Sequence, residues 1–368
     1  MKRIGILATA RQGNGGTLLY THSMIDALRR LPSDRYQFTI IAEADNQEYD
    51  HIGLPVVRLP GWAKPLLSRL AGGGAFAEFD ALISPVYSTW LLVSVRPFCF
   101  TLHDLQERYH PQNFSPATRI WRRATNRALT SRARRIICES NFVKRDIVRF
   151  LGVPENKVAV IPAPPIALLC QSPPDTSEMA LTRQKFSLPD IYVFYPAQFW
   201  PHKNHLRLLE AFAEVVRVHP QAHLVLTGKP RDEYVKVMKR IESLGLASRV
   251  LHIGYVERTE LATLYRCATA VAVPTLFESI SIPVYEAFAL GTAVCVSNVV
   301  ALPEQVGDAG LLFDPLSVTD IAGKINALLA DAALRDQLVE RGRRRIESVT
   351  HEQYARGLAD VLDVIDTA

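Results

Sequence analysis

Two successive series of short, β-branched apolar runs, separated by longer segments with helical apolar spacing, limit the possible folds more than any other feature of the chain. The first series opens with "RIGILAT", passes through the glycine-rich "RQGNGGT", and enters a helical stretch near "LLYTHSMIDALRRL". It continues through "QFTIIAE", "ALISPVY", "FCFTLHD" and "ARRIICES", with helical patterns near 115–131 and 141–151. The second series runs "IYVFYPAQF", "HLRLLEAFAEVVRVH", "HLVLTGK", a helix near 231–244, "RVLHIGYV", "TELATLYRCA", "AVAVPT" and "TAVCVSN", then a short strand near "GLLFDP". Alternation of this kind covers both faces of a mostly parallel sheet, so the chain predicts an α/β protein of two Rossmann-like doubly wound domains. The intervening "IPAPPIALLCQSPPDTSEM" is proline-rich with weak periodicity and reads as a linker. The expected boundaries are 1–165, a linker at 166–188, and 189–349. The length of 368 residues suits two domains. Ligands of such sheets sit beyond the carboxyl ends of the strands.

Composition narrows the function. With 48% apolar and 21% charged residues the chain reads as globular. The net charge of +5 is compatible with anionic ligands or an anionic membrane surface, but is too diffuse to point to nucleic acid. The five cysteines are scattered and form no CxxC pair. A disulfide framework or zinc site is therefore not expected, and a reducing, cytoplasmic setting is. The apolar run of "MKRIGILATA" is too short for a signal segment. "WLLVSVRPFCF" is broken by Arg96 and Pro97, well short of the ~20 apolar residues of a membrane span.

The chemistry concentrates in "LFESISIPVYEAFALG", Leu276 to Gly291, which leaves an apolar strand and enters a short helix opened by Pro283 and closed by Gly291. Free backbone N–H groups near Ser281 and Ile282, at the positive end of that helix, suit a phosphate, and the hydroxyls of Ser279 and Ser281 can add donors. Glu286, about one turn into the helix, suits the paired hydroxyls of a ribose. Glu278 suits the other end of the same ligand. The layout fits phosphates between two polyols, as in a nucleotide sugar. "FYPAQFWPHKNH" offers Lys203 as a countercharge at a strand end. His202 and His205 flank it without a third ligand, so no metal site is expected. The "RQGNGGT" loop is neither GxGxxG nor a P-loop, yet its glycines allow close backbone approach. "TLHDL" places His103 and Asp104 at another strand end.

Taken together, the two halves, the GG-containing loop, the strand-end "HD", "FYPAQFWPHKNH", the two glutamates with seven residues between them and the tail "ALPEQVGDAGLLFDPLSVTDIAGKI" resemble the retaining glycosyltransferases of the GT-B fold, family 4. The resemblance spans nearly the whole chain. It implies two Rossmann-like domains facing each other across a cleft, an N-terminal acceptor domain, a C-terminal nucleotide-sugar donor domain, and a last helix, about 350–368, crossing back onto the first. It implies catalytic roles for His103, Lys203 and Glu278. His103 would face the reacting sugar or orient the acceptor, and Glu278 would contact the donor sugar. Donor binding would fall to Gly15, Gly16, Gln198, Ser279, Ile280, Ser281, Ile282 and Glu286. Lys203 and the backbone of 279–282 would hold the diphosphate, with Glu286 on the ribose. Two departures stand out. Ser279 and Ser281 replace glycines usual in the family, and Gln198 stands where many members carry an arginine.

The implied activity is a retaining, metal-independent hexosyl transfer, of mannose or another hexose, with no cofactor beyond a UDP- or GDP-sugar donor. The acceptor would be a saccharide or lipid-linked saccharide in surface polysaccharide or lipopolysaccharide assembly. The arginine-rich segment 119–135, with Trp121, would bring a cytoplasmic enzyme to anionic lipid at the inner face of the membrane. The competing readings are a nucleotide-sugar epimerase of the same fold and a non-catalytic nucleotide-sugar-binding protein. A Rossmann dehydrogenase lacks its fingerprint here.

Overall fold

The computed structural model describes residues 1–11, 16–59, 76–164 and 174–365. The chain divides into two compact units, Met1–Pro164 with Val349–Ala368, and Pro165–Ser348. Gly15, residues 166–173 of the expected linker and residues 366–368 lie outside the described residues.

In the first unit, strand β1 (Lys2–Leu7) leads to helix α1 (Gly16–Arg29), then β2 (Tyr36–Glu43), β3 (Val56–Leu59), β4 (Ala81–Ser84) and β5 (Phe98–Thr101). Helix α2 (Pro116–Arg132), β6 (Arg135–Cys138), α3 (Asn141–Leu151) and β7 (Val158–Val160) follow. Among the described residues the sheet order is β3-β2-β1-β4-β5-β6-β7, every pair parallel. The order reverses between β1 and β4. Strands such as Ala81–Ser84 and Phe98–Thr101 are buried at every position, as a sheet covered on both faces requires. Helix ends follow from capping. Ser115 and Ser140 accept from Thr118 and Val143, and Gly152 closes α3 at φ 67°.

The second unit contains α4 (Thr176–Lys185), β8 (Tyr192–Pro196), α5 (His205–Val218), β9 (His223–Thr227), α6 (Tyr234–Ser243), β10 (Val250–His252) and α7 (Arg258–Cys267). It continues with β11 (Ala270–Val273), α8 (Ile282–Leu290), β12 (Val294–Ser297), α9 (Leu302–Val306), β13 (Leu311–Phe313), α10 (Val318–Ala330) and α11 (Ala332–Ile346). Its parallel sheet runs β10-β9-β8-β11-β12-β13. Here the order reverses between β8 and β11, so the loops after these two strands flank the crevice where such sheets take ligands.

Helix α12 (His351–Val364) returns to the first unit. Its Tyr354, Leu358, Val361 and Leu362 join Tyr20, Met24, Ile25 and Leu28 of α1 in one buried cluster. The stretch read as a linker, 166–188, departs from expectation. Its part Thr176–Lys185 is helical and packs against α7. Asp175 and Glu178 form a reciprocal capping box that starts this helix despite the prolines before it.

Candidate active site

Lys203 ends a single 3₁₀ turn, Pro201–Lys203, that follows β8. Three sets of bonds fix its backbone. Tyr195 donates to the Lys203 carbonyl at 2.9 Å. The Leu276 amide and Thr275 hydroxyl donate to the His202 carbonyl at 2.7 and 3.0 Å. The side chain of Asn204, held at φ 60°, donates to the carbonyls of Pro274 and Pro315, both at 2.9 Å. The loop after β8 is thereby fastened to the loop after β11. The Lys203 ammonium then meets both oxygens of Glu278 at 2.9 Å, with the two side chains 18% and 12% exposed. A charge pair this shielded keeps its position and is screened little by salt.

Beyond Glu278 the chain turns into α8. The sequence suggests a free Ser281 amide, and the structure corrects this. Ser281 N–H donates to Gln305 Oε1 at 2.8 Å, and Gln305 Nε2 returns a bond to the Ser281 carbonyl at 2.7 Å. The primary amide of Gln305 pairs with that peptide as a neighbouring strand would, and so pins the helix entry. The amides of Ser279, Ile280 and Ile282 have no hydrogen-bond partner among the described residues, which leaves three donors at the positive end of α8. Ser281 Oγ is fully buried and has no hydrogen-bond partner among the described residues. Pro283 lies in the first turn and Gly291 caps the helix at φ 77°, as the sequence indicates.

Glu286 is the fifth residue of α8, one residue beyond the first turn, and is 5% exposed. Tyr265, from α7, donates to Glu286 Oε2 at 2.6 Å. Burial pushes the Glu286 carboxyl up to about 7, against the opposing pull of the Tyr265 hydroxyl.

Gln198, just past β8, accepts from Trp200 Nε1 at 3.2 Å and from Arg231 Nε at 2.8 Å. The Arg231 guanidinium lies 5.2 Å from the Trp200 ring centroid. A guanidinium therefore stands beside the position where the resemblance leads one to expect arginine, but it is delivered from the loop after β9. That loop approaches so closely that a Cβ at Gly228, φ +126°, would lie 2.4 Å from the Ala197 carbonyl oxygen. His205 is a core residue. It is fully buried, stacked 4.5 Å from Phe199, and burial lowers it to about 3.

In the first unit, Gly16 begins α1. His103 follows β5 and does not present a free ring nitrogen. Nδ1 lies 2.8 Å from Glu139 Oε2 and Nε2 lies 3.1 Å from the Pro85 carbonyl. The Pro85 carbonyl accepts from Nε2–H, and the Glu139 carboxylate favours a second proton, and so a positive charge, on Nδ1. Burial opposes that charge, but the hydrogen bond and charge of Glu139 outweigh it and hold His103 above the ordinary histidine value. The expected contact between His103 and a reacting sugar would require one of these bonds to be given up. In α2, Arg122 turns inward to Asp104 and Glu107 at 3.2 and 2.9 Å, while Ile120 and Trp121 are 70% and 46% exposed. A polar cavity of about 530 Å³, at the carboxyl ends of β1 and β2, is lined by Arg11, Asp45, Asn46, Gln47, Glu48 and His51. No helix is long and apolar enough to cross a membrane, among the described residues.

Reasoning from the sequence alone does not find Tyr265, Gln305 or Arg231. Arg231 leaves a faint signal, the basic "GKPR" after a strand. Tyr265 leaves none, and Gln305, although it lies in the "ALPEQVG" stretch, gives no sign of its partner, because both partners are distant along the chain.

Comparison with known proteins identifies the family and the fold. The family model described as "Glycosyl transferases group 1" matches residues 180–345, and that described as "Glycosyltransferase Family 4" matches residues 14–164. The chain is 29% identical over 251 residues to the O-antigen chain mannosyltransferase B of Escherichia coli, a match covering 66% of this chain and 64% of that relative. It thus spans less than two thirds of that relative's length. Sucrose-phosphate synthase from Thermosynechococcus elongatus superposes with a TM-score of 0.80 at 20% identity, covering 99% of this chain and 98% of the other. HepE from Anabaena, solved with UDP and glucose, gives 0.78 at 21% identity, covering 99% and 100%. Two parallel-sheet units and the matched models place the chain: it belongs to glycosyltransferase family 4 and has the GT-B fold.

Proposed function

We propose that this protein is a retaining glycosyltransferase that moves a hexose, mannose being the first candidate, from a UDP- or GDP-sugar to a saccharide or lipid-linked acceptor in surface polysaccharide or lipopolysaccharide assembly. The observation that carries the reading is the Lys203–Glu278 pair beside the amides of Ser279, Ile280 and Ile282, unpaired among the described residues. Cation and amides suit a diphosphate, Glu278 a sugar hydroxyl, and Glu286 a ribose. The relative from Escherichia coli, a mannosyltransferase by name, and the HepE structure with UDP and glucose support the donor class. The second unit takes the donor. The polar cavity of the first unit offers hydrogen-bonding groups suited to an acceptor saccharide.

The anomeric carbon–oxygen bond breaks toward the diphosphate, leaving an oxocarbenium-like centre. Lys203 and the α8 amides stabilise the charge gathering on the departing phosphate. The acceptor hydroxyl attacks the face just vacated and gives its proton to the leaving phosphate oxygen, so configuration is retained. No metal is required, because Lys203 and the helix N-terminus supply the countercharge. The exposed Ile120 and Trp121 with Arg123 and Arg127 on α2 suit an anionic membrane surface, and the enzyme works in the cytoplasm at its inner face.

The deciding experiment incubates purified protein with UDP- and GDP-hexoses, without acceptor and with chelator present, and follows thermal shift and products. One donor that stabilises the protein and slowly releases nucleoside diphosphate supports transfer. A donor returned with inverted sugar stereochemistry makes the protein an epimerase. Silence from every donor leaves a binding protein as the better reading.

A further inference from the structure

Glu286 is a buried carboxyl whose hydrogen-bond partner among the described residues is one neutral hydroxyl, that of Tyr265. A lone buried carboxyl is costly, and a hydrophobic residue would pack into α8 at lower cost. Tyr265 is equally committed. It is fully buried, its ring meets Phe194 edge-on at 5.1 Å, and the Thr292 hydroxyl donates to its carbonyl at 2.7 Å. The ring therefore cannot swing away, and its hydroxyl reaches Glu286 Oε2 from a fixed direction.

We propose that Tyr265 is a positioning residue for ribose recognition: its hydroxyl occupies one oxygen of Glu286 and fixes the carboxylate plane, leaving the other oxygen for the vicinal diol of the donor. The inference rests on the reading of Glu286 as the ribose partner. Tyr265 touches no ligand itself. A carboxylate accepting from both a fixed phenol and a diol has its lone pairs shared between protein and ligand, and losing the phenol frees the carboxylate to rotate.

The test measures binding of UDP and GDP, and of their 2′,3′-dideoxy counterparts, by calorimetry. Wild type, Tyr265→Phe, Glu286→Gln and the double variant are compared. Wild type should prefer the ribonucleotide by about tenfold or more, the range for hydrogen bonds to a charged group. Tyr265→Phe should lose most of that preference while binding the dideoxy nucleotide as wild type does, which also reports an intact fold. Glu286→Gln should lose it too, and the double variant should be no worse than either single one, since the two residues act as one unit. Equal weakening of both nucleotides by Tyr265→Phe, or an unchanged preference, overturns the assignment to Tyr265 while Glu286 keeps its role. An unchanged preference in Glu286→Gln overturns the ribose reading, and the assignment with it.

Discussion

The Nζ of Lys203 lies 2.9 Å from each carboxylate oxygen of Glu278, across two loops that leave adjacent strands. The Lys203 ammonium is thus neutralised within the protein. On the proposed function, a bound diphosphate would share that ammonium with Glu278, and the two negative groups would compete. Lys203→Ala should cut turnover by about 10²-fold or more, the range for one preorganised charge-stabilising group. Glu278→Gln should act differently. It should tighten binding of free nucleoside diphosphate, because the lysine is no longer neutralised, while lowering turnover through loss of the sugar contact. Calorimetry and steady-state kinetics on the same preparations read both effects. Weaker nucleoside diphosphate binding by Glu278→Gln would show that the carboxylate helps the phosphates rather than competing with them.

Gln305 supports the same site from behind. Its amide satisfies both the N–H and the carbonyl of Ser281. Gln305→Ala leaves that buried peptide unpaired, at about 1–3 kcal/mol of stability. It should also loosen the three neighbouring amides. Nucleoside diphosphate affinity should therefore fall several-fold while binding of the phosphate-free nucleoside stays the same. Parallel titrations with nucleoside and nucleoside diphosphate check this. Loss of both affinities to the same degree would reduce Gln305 to a purely structural residue.

Glu286 gives the protein a pH-dependent weakness. Its folded carboxyl stands near 7 against an ordinary 4.5. The unfolded chain ionises first as pH rises, so stability is fully present below about 4.5 and declines until pH passes about 7. At 1.36 kcal/mol per pKa unit the decline amounts to roughly 3 kcal/mol. Glu286→Gln cannot ionise and still accepts from Tyr265 through its amide oxygen. Urea unfolding should find this variant more stable than wild type at pH 8 and near parity at pH 4.5. A variant less stable at pH 8 would mean that the ionised carboxylate is better supported than its burial suggests.

Lys203 and Glu278 are legible in the sequence because each follows a run such as "IYVFYP" or "AVAVPT" that can only be a buried strand. The parallel α/β architecture is legible for the same reason. The edge strands Val56–Leu59 and Val158–Val160 are not, since three or four residues, mostly half-buried, carry no distinct period. The helix Thr176–Lys185 hides behind prolines, although Asp175 and Glu178 spell its capping box. The ion pair joins residues 75 positions apart and the Gln305 clamp residues 24 apart. Tertiary packing sets both, and no local pattern encodes them. The same limit hides the occupied state of His103, whose partner Glu139 lies 36 residues away.

The His103–Glu139 bond predicts a second pH dependence, of known sign, in the first unit. Glu139 is 4% exposed and its charge holds His103 above the ordinary histidine value against the opposing effect of burial. The stabilisation is fully present below the ordinary value and is lost as pH rises through the elevated one. Glu139→Gln keeps the shape but removes the charge, so burial prevails and the His103 value drops. The charged hydrogen bond is worth roughly 1.5–3 kcal/mol. The variant should therefore be less stable than wild type in mildly acidic solution, and the gap should narrow as pH rises past the wild-type histidine transition. Urea unfolding at several pH values, together with ring-proton NMR titration of His103, reads stability and protonation separately. Parallel stability profiles for wild type and variant would show that His103 is neutral in the folded protein, with one ring nitrogen left to accept a hydrogen bond.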